Sequence, residues 1–493
     1  MAQQDFSRIF VGGIWRAGGG PLELSINPAD GSVVAEFGTA SVADVDEAVA
    51  AGKRAANDPA WRGMTPQARA RLLYRIGDAI ESDADAIAAL QTADTGKTLA
   101  ETRALAMSAA GTFRYIAALL ETMDEALTSP RGNCLTMSLH EPIGVVGAIT
   151  PWNSPIASDA QKIAPALAAG NAVVLKPAEW TSLVSLRLAA IIERVGLPSG
   201  LLSVLPGAGA VIGDAIVRHR DVGKISFTGG TITGRHIAAA AAAKLMPVSL
   251  ELGGKSPTIV LPDADIDQAI AGILFGVFSS TGQSCIAGSR LFVPAPIFSE
   301  FVGKLTARAA ALRIGPGTDP STQVAPMVAF PHRDKVAGHV AAGIAEGAEI
   351  LCGGALLADT RYAAGAYYPP TILTGVTNDA NICQQEIFGP VLVALPYGDE
   401  DDLVAQANDS VYGLACGLWT RDYRTAYRLA RRIDAGTVWI NTYKQFSIST
   451  PFGGVKDSGL GREKGRDAIR NYMQQKSLYW GLDPQPLPWA SGI

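Results

Sequence analysis

Histidine and cysteine are both scarce in this chain, five of each in 493 residues. The cysteines at 134, 285, 352, 383 and 416 are scattered, odd in number and without a CxxC pair. Such a set suggests neither a disulfide framework nor a zinc site, and it suits a reducing cytoplasm. The histidines lack HExxH spacing, so no metal centre is expected. Long apolar runs are missing too: the longest, Ile270 to Phe278, is far short of the roughly 20 residues that span a bilayer. The first residues include Asp5 and no apolar stretch of signal-peptide length, which argues against secretion. A net charge of −5 leaves no basic stripe for a phosphate backbone. Nucleic acid and membrane are therefore not expected as partners, and a small-molecule substrate is.

What is present is ample core. Apolar residues make up 48% of the chain and charged ones 18%, ordinary for a large soluble protein, and the length predicts about three domains. Thr65-Pro66 reads as an N-cap and first helical residue, followed by Leu72, Leu73, Ile76, Ile80, Ile87 and Leu90 at helical spacing, opening a helical stretch to about Met123. Beyond it lie a strand-like alternation at Leu135–Leu139 and a buried strand at 144–150. Strands and helices then alternate: 171–176, a helix over 182–195, 224–227, and an alanine-rich helix over 231–245 that Pro247 stops. This order implies right-handed βαβ units and a parallel sheet. A second alternating block runs from Ser256 through strands at 291–293 and 391–393, with a helix over 297–312, to 437–441. Two α/β blocks with a cleft between them are expected.

Several loops carry candidate chemistry. Cys285 lies among small residues in Gly282-Gln283-Ser284-Cys285-Ile286-Ala287-Gly288, where a thiolate can approach a carbonyl carbon. Glu251 in Glu251-Leu252-Gly253-Gly254-Lys255-Ser256-Pro257 supplies a carboxylate able to move protons or activate water. Phe227-Thr228-Gly229-Gly230-Thr231-Ile232-Thr233-Gly234 is either a phosphate-facing helix start or a tight structural turn; it is neither GxGxxG nor a P-loop. Lys176-Pro177-Ala178-Glu179 combines an amine and a carboxylate that could hold ribose hydroxyls, or it is a solvated turn. Asn153, between Pro151 and Pro155, is an oxyanion donor or part of a plain turn. Glu386-Ile387-Phe388-Gly389-Pro390-Val391 and the glycine-dense Pro451–Glu463 run read equally as loops.

Taken together and in this order, PWNxP, KPAE, FTGGTxxG, ELGGKSP, GQxC, EIFGPV and PFGGxKxSGxGRE resemble the NAD(P)-dependent aldehyde dehydrogenase superfamily over essentially the whole chain. The resemblance implies an α/β fold with a Rossmann-like cofactor domain (1–122 and 143–253), a catalytic α/β domain (254–457) and a small β oligomerisation element (123–142 and 458–493). It implies a homo-oligomer, dimer or tetramer, that pairs through 133–142 and the tail from Tyr479 to Ile493. It makes Cys285 the nucleophile, Glu251 the general base, and Asn153 with the Cys285 N–H the oxyanion hole. Lys176 and Glu179 match adenosine-ribose contacts, Glu386 the nicotinamide ribose, Phe388 the nicotinamide face, and Trp152, Gly229, Gly230 and Gly234 the pyrophosphate region. Glu179 favours NAD, since its charge would repel the 2′-phosphate of NADP. Gly230 departs from the serine often found there. The implied reaction is oxidation of an aldehyde to a carboxylic acid through a cysteine thiohemiacetal and thioester, hydrolysed by water. A CoA-acylating enzyme would generally lack the base at the Glu251 position, and a non-catalytic NAD-binding protein would not need all three groups.

The substrate tunnel is expected around Ser158 and Gln161, the latter at the family's tryptophan position, and around Tyr443, Lys444 and Phe446. Gln161 and Lys444 point to a polar aldehyde, carboxylate-bearing or aromatic; the alternative is that Lys444 faces solvent. A betaine-aldehyde specificity would instead need a cage for a quaternary ammonium, with Trp152 and Asp159 as candidates.

Overall fold

The computed structural model describes residues 4–130, 132–482 and 489. The first sheet has eight strands, in spatial order Ile14–Ala17, Arg8–Val11, Leu202–Val204, Ala172–Lys176, Val145–Ile149, Lys224–Thr228, Val248–Glu251 and Gly459–Leu460. Its five central strands are parallel, and the outer pairings are antiparallel. Those strands are nearly uniform in burial, as expected where helices cover both faces. The chain builds outward from Val145–Ile149 first to 172–176 and 202–204, then returns to add 224–228 and 248–251 on the other side. Val145–Ile149 thus adjoins the topological switch point, where open α/β sheets bind ligands at their carboxyl ends.

The second sheet has seven strands, ordered Glu349–Cys352, Thr371–Thr374, Val391–Tyr397, Arg290–Pro294, Pro257–Val260, Ala415–Trp419 and Thr437–Ile440. All pair in parallel except Glu349–Cys352. A third, antiparallel sheet pairs Met473–Gly481 with Cys134–Pro142 over nine positions, and Ala126–Leu127 with the latter's other side. The expected pairing segment from Tyr479 onward is seen only in part, because residues 483–488 and 490–493 lie outside the described residues.

The helical stretch expected to run unbroken from Thr65 divides into Pro66–Ser82, Ala84–Thr95 and Leu99–Glu121. Gly96, at φ 80°, ends the second, and Thr98 starts the third with a capping box to Glu101. Both flanking helices contribute to one core, Ile87 before the break and Ala106, Ala109 and Phe113 after it. The alanine-rich helix ends at Ala242, three residues before its expected end, and Leu245 adopts φ 53° ahead of Pro247. Gly459–Leu460, expected in the oligomerisation element, instead closes the edge of the first sheet against Leu250 and Glu251. No helix among the described residues is long and apolar enough to cross a membrane.

Candidate active site

Four carboxyl ends of the first sheet converge. Trp152 and Asn153 follow Val145–Ile149, Lys176 and Glu179 follow the next strand, Gly229 and Gly230 follow Lys224–Thr228, and Glu251 ends the last. Gly230 is the N-cap of the helix Thr231–Ala242, and a Cβ built on it meets nothing within 4 Å. The helix start therefore opens on free space, where its N–H groups can face an anion. Gly229 donates its N–H to Glu251 O at 3.0 Å. Gly234 has a packing role: a Cβ there would lie 2.4 Å from Leu252 Cδ2. Lys176 is buried, its Nζ donating to Pro177 O at 2.9 Å, and burial brings its pKa down to about 8. Glu179 is exposed, 3.9 Å from that ammonium, and accepts from Gly209 N–H. On the far side Trp152 packs edge-on against Phe388 at 5.1 Å and His332 at 5.0 Å. An anion-ready helix start, an exposed carboxylate beside an amine and an aromatic wall fit a dinucleotide.

Close backbone approach assembles the reacting groups. A Cβ on Gly254 would lie 2.5 Å from Cys285 O, and one on Gly253 only 2.3 Å from Glu386 Oε2. Bare glycines after Glu251 thus let the cysteine loop and the Glu386 loop close onto the end of that strand. Glu386 Oε1 accepts Gly254 N–H at 3.0 Å, and burial raises its pKa to about 7. Gly282, at φ 67°, presses the start of the cysteine loop onto Gly389. Asn153 Nδ2 donates to Gln283 O at 3.0 Å, and Gln283 Oε1 in turn accepts Val328 N–H at 2.9 Å. An amide has two N–H donors, so the second is left for an oxyanion.

The electrostatics favour neutral forms in this state. Burial, then the charges of Glu386 and Glu251, push the half-buried Cys285 thiol up to about 12, while Lys444 pulls it down. Burial and the neighbouring Glu463 hold the Glu251 carboxyl well above its ordinary range, and neither of its oxygens has a hydrogen-bond partner. Behind it, Lys162 is buried in an ion pair with Glu463 at 2.5 Å, and Ser226 Oγ joins that pair with Tyr472. An unsatisfied buried carboxyl beside a thiol is the condition of a group that exchanges protons.

The expected tunnel residues fall in different places. Ser158 and Gln161 are half-buried, one turn apart on the helix Pro155–Ala168. Lys444 does not face solvent: at φ 53° it turns its Nζ to Ser279 O and Oγ, 3.3 and 2.9 Å away, and burial lowers its pKa to about 7. Tyr443 is buried rather than exposed on a wall, its hydroxyl donating to Ile286 O at 3.0 Å, so it braces the cysteine loop from behind. Phe446 is exposed and packs edge-on to Trp439 and Phe452. Asp159 is fully buried and accepts from Ser185 Oγ at 2.6 Å, so it presents no charge to a bound cation. Three features escaped the sequence reading. His332 walls Trp152 and bonds Phe388 O at 2.8 Å, with no motif to mark it. The Lys162–Glu463 pair joins distant segments. Lys464, next to the quoted GRE run, would have been found by reading one residue further.

Comparison with known proteins agrees with this geometry. Residues 15–478 match the sequence model described as the aldehyde dehydrogenase family. A Burkholderia cenocepacia protein assigned as an aldehyde dehydrogenase is 40% identical, with TM-score 0.95 over 98% of this chain and 99% of that one. An aldehyde dehydrogenase from Bacillus cereus in complex with NAD+ is 37% identical, with TM-score 0.94 over 97% and 96%. The betaine aldehyde dehydrogenase of Staphylococcus aureus, also with NAD+, is 35% identical, with TM-score 0.97 over 99% and 97%. With its cysteine and glutamate loops closed on each other at the end of a doubly wound sheet, this chain belongs to the aldehyde dehydrogenase family and is an oxidoreductase acting on aldehydes.

Proposed function

We propose that the chain oxidises a polar aldehyde, carboxylate-bearing or aromatic, to the carboxylic acid with NAD, and that Cys285, Glu251 and Asn153 carry the chemistry. The observation that carries this reading is the contact of Gly254 with Cys285 O, which sets the nucleophile loop on the strand that ends in Glu251. Cys285 sulfur, as thiolate, attacks the carbonyl carbon, and the oxyanion lies against the free Asn153 N–H and the Cys285 N–H. One such donor is worth about 3 kcal/mol. A bound NAD would supply the hydride acceptor for oxidation of the tetrahedral carbon that Cys285 forms. Lys176 and Glu179 would hold the adenosine ribose, Gly229 and Gly230 the pyrophosphate, and Glu386 the second ribose, with Trp152 and Phe388 as the wall. The carboxylate of Glu179 disfavours NADP, and NAD+ in the Bacillus and Staphylococcus structures supports the choice. Glu251 then takes a proton from the water that attacks the thioester carbon, a contribution of about 10²- to 10⁴-fold. The products are the acid and the free Cys285.

Betaine aldehyde fits less well, although the Staphylococcus relative acts on it by name. Asp159 is buried, and the charges of Lys444 and Lys464 act on Cys285 where a quaternary ammonium would have to lie. Residues 1–122 and 143–253 would form the cofactor domain, 254–457 the catalytic domain, and 123–142 with the tail the oligomerisation element, less the strand Gly459–Leu460. The test is NADH formation with a panel of aliphatic, aromatic, cationic and carboxylate-bearing aldehydes. Cys285→Ala should abolish turnover with every aldehyde. Glu251→Gln should leave about one equivalent of NADH as a burst and slow the steady state at least about a hundredfold. A mutant without Cys285 that still turns over would refute the mechanism.

A further inference from the structure

Among the described residues Lys464 forms no ion pair, although the charges of Glu463 and Glu251 act on its ammonium. It adopts φ 60°, a backbone conformation uncommon for a residue other than glycine. Its Nζ lies 4.4 Å from the centre of the Phe446 ring and 5.3 Å from that of Phe452, and these two contacts are its partners among the described residues. Phe452 packs on the same apolar cluster as Cys285, and its backbone pairs with Glu463 on both sides, at 2.8 Å each way. The next residue, Gly453, has its α-carbon against Glu251: a Cβ there would meet Oε1 at 2.8 Å. Lys464 therefore stands at the approach to both reacting groups. Gln161, in place of the expected aromatic ring, lines one small cleft with Arg462, Lys464 and Asn471, and with Glu463, whose carboxylate is tied up by Lys162.

A cation held over two rings, unpaired and half-buried, is arranged for an anion that arrives from outside. Phe446, 48% exposed, and Phe452 stand edge to face below it and offer apolar surface there. Lys444 is already bonded to Ser279, so it has fewer free donors. We propose that Lys464 determines substrate choice by binding a carboxylate at the far end of the aldehyde, with Phe446 and Phe452 against a flat, conjugated or aromatic body. This rests on the aldehyde-oxidising reading above and narrows its substrate to an anion. The structural alternative is that Lys464 only stabilises the Glu251 carboxylate, whose charge it also feels.

The two roles separate with a matched pair of substrates, 4-formylbenzoate and its methyl ester, assayed with the full-length protein and NAD. Wild type should prefer the carboxylate by about 10- to 100-fold in kcat/KM, the range of a charged hydrogen bond. Lys464→Met should cut that preference at least about tenfold, mainly through KM, and Lys464→Arg should restore most of it. Independently of any variant, KM for the carboxylate should rise with ionic strength while that for the ester stays level. No preference in wild type, or equal losses on both substrates in Lys464→Met, overturns the proposal and leaves the dehydrogenase intact. Absence of turnover with both substrates, while another aldehyde of the panel yields NADH, overturns this proposal alone; absence of turnover with every aldehyde of the panel overturns the proposed reaction and this proposal with it.

Discussion

Asn153 spends one amide hydrogen on Gln283 O, and in the proposed mechanism the other serves the oxyanion. Asn153→Ala should lower kcat about 10²- to 10³-fold with KM changed much less, measured by steady-state kinetics on the best aldehyde. The thiol makes a sharper test. With Cys285 pushed up to about 12 in the free protein, the thiolate fraction grows with pH throughout the neutral range. Alkylation of Cys285 by iodoacetamide should therefore keep accelerating from pH 7 to 9; a rate that levels off above pH 7 would contradict the burial described here. Lys444 acts in the opposite window. Its charge is present below about 7 and lost as pH rises through that value, so Lys444→Met should slow alkylation at pH 6 more than at pH 9.

Elements place these groups through backbone contact, and two glycine substitutions measure that. Gly254→Ala puts a methyl group 2.5 Å from a backbone oxygen that has no room to yield. Displacing the cysteine loop by even about 1 Å should cost about 10²-fold in kcat/KM. Gly230→Ser meets only open space at a helix N-cap position where serine is favoured. It should leave Tm equal or higher and lower KM for NAD, read by thermal unfolding and cofactor titration. Strands, helix starts and these loops were legible from sequence because each is a local matter of apolar alternation, caps and glycine density. The break at Gly96 was not, since the helices on either side both contribute to one core.

At the scale of the molecule, the strand Met473–Gly481 is an edge of its three-stranded sheet and leaves Leu478, Tyr479 and Trp480 exposed. An open edge with aromatic side chains is a surface that a second copy can cover. Trp480→Asp should shift the protein to a smaller species in sedimentation velocity, with secondary structure by circular dichroism unchanged. An unaltered mass would refute pairing of two copies through this edge.

Sequence alone determined the family and the class of reaction: each strand-end run taken singly reads equally as a turn or loop, but their combination in one order has few other uses. It also set the α/β architecture, because hydrophobic periodicity is a local property. Only the tertiary structure decided what surrounds those groups. Gln161, Phe446, Phe452 and Lys464 come from separate segments, and nothing in their spacing tells whether an ammonium ends over rings or in water. Burial of Asp159 and Tyr443, the turn of Lys444 toward Ser279 and the approach of His332 to Trp152 were settled in the same way. Desolvation and charge proximity depend on which distant residues share a few ångströms of space, and that is fixed by packing.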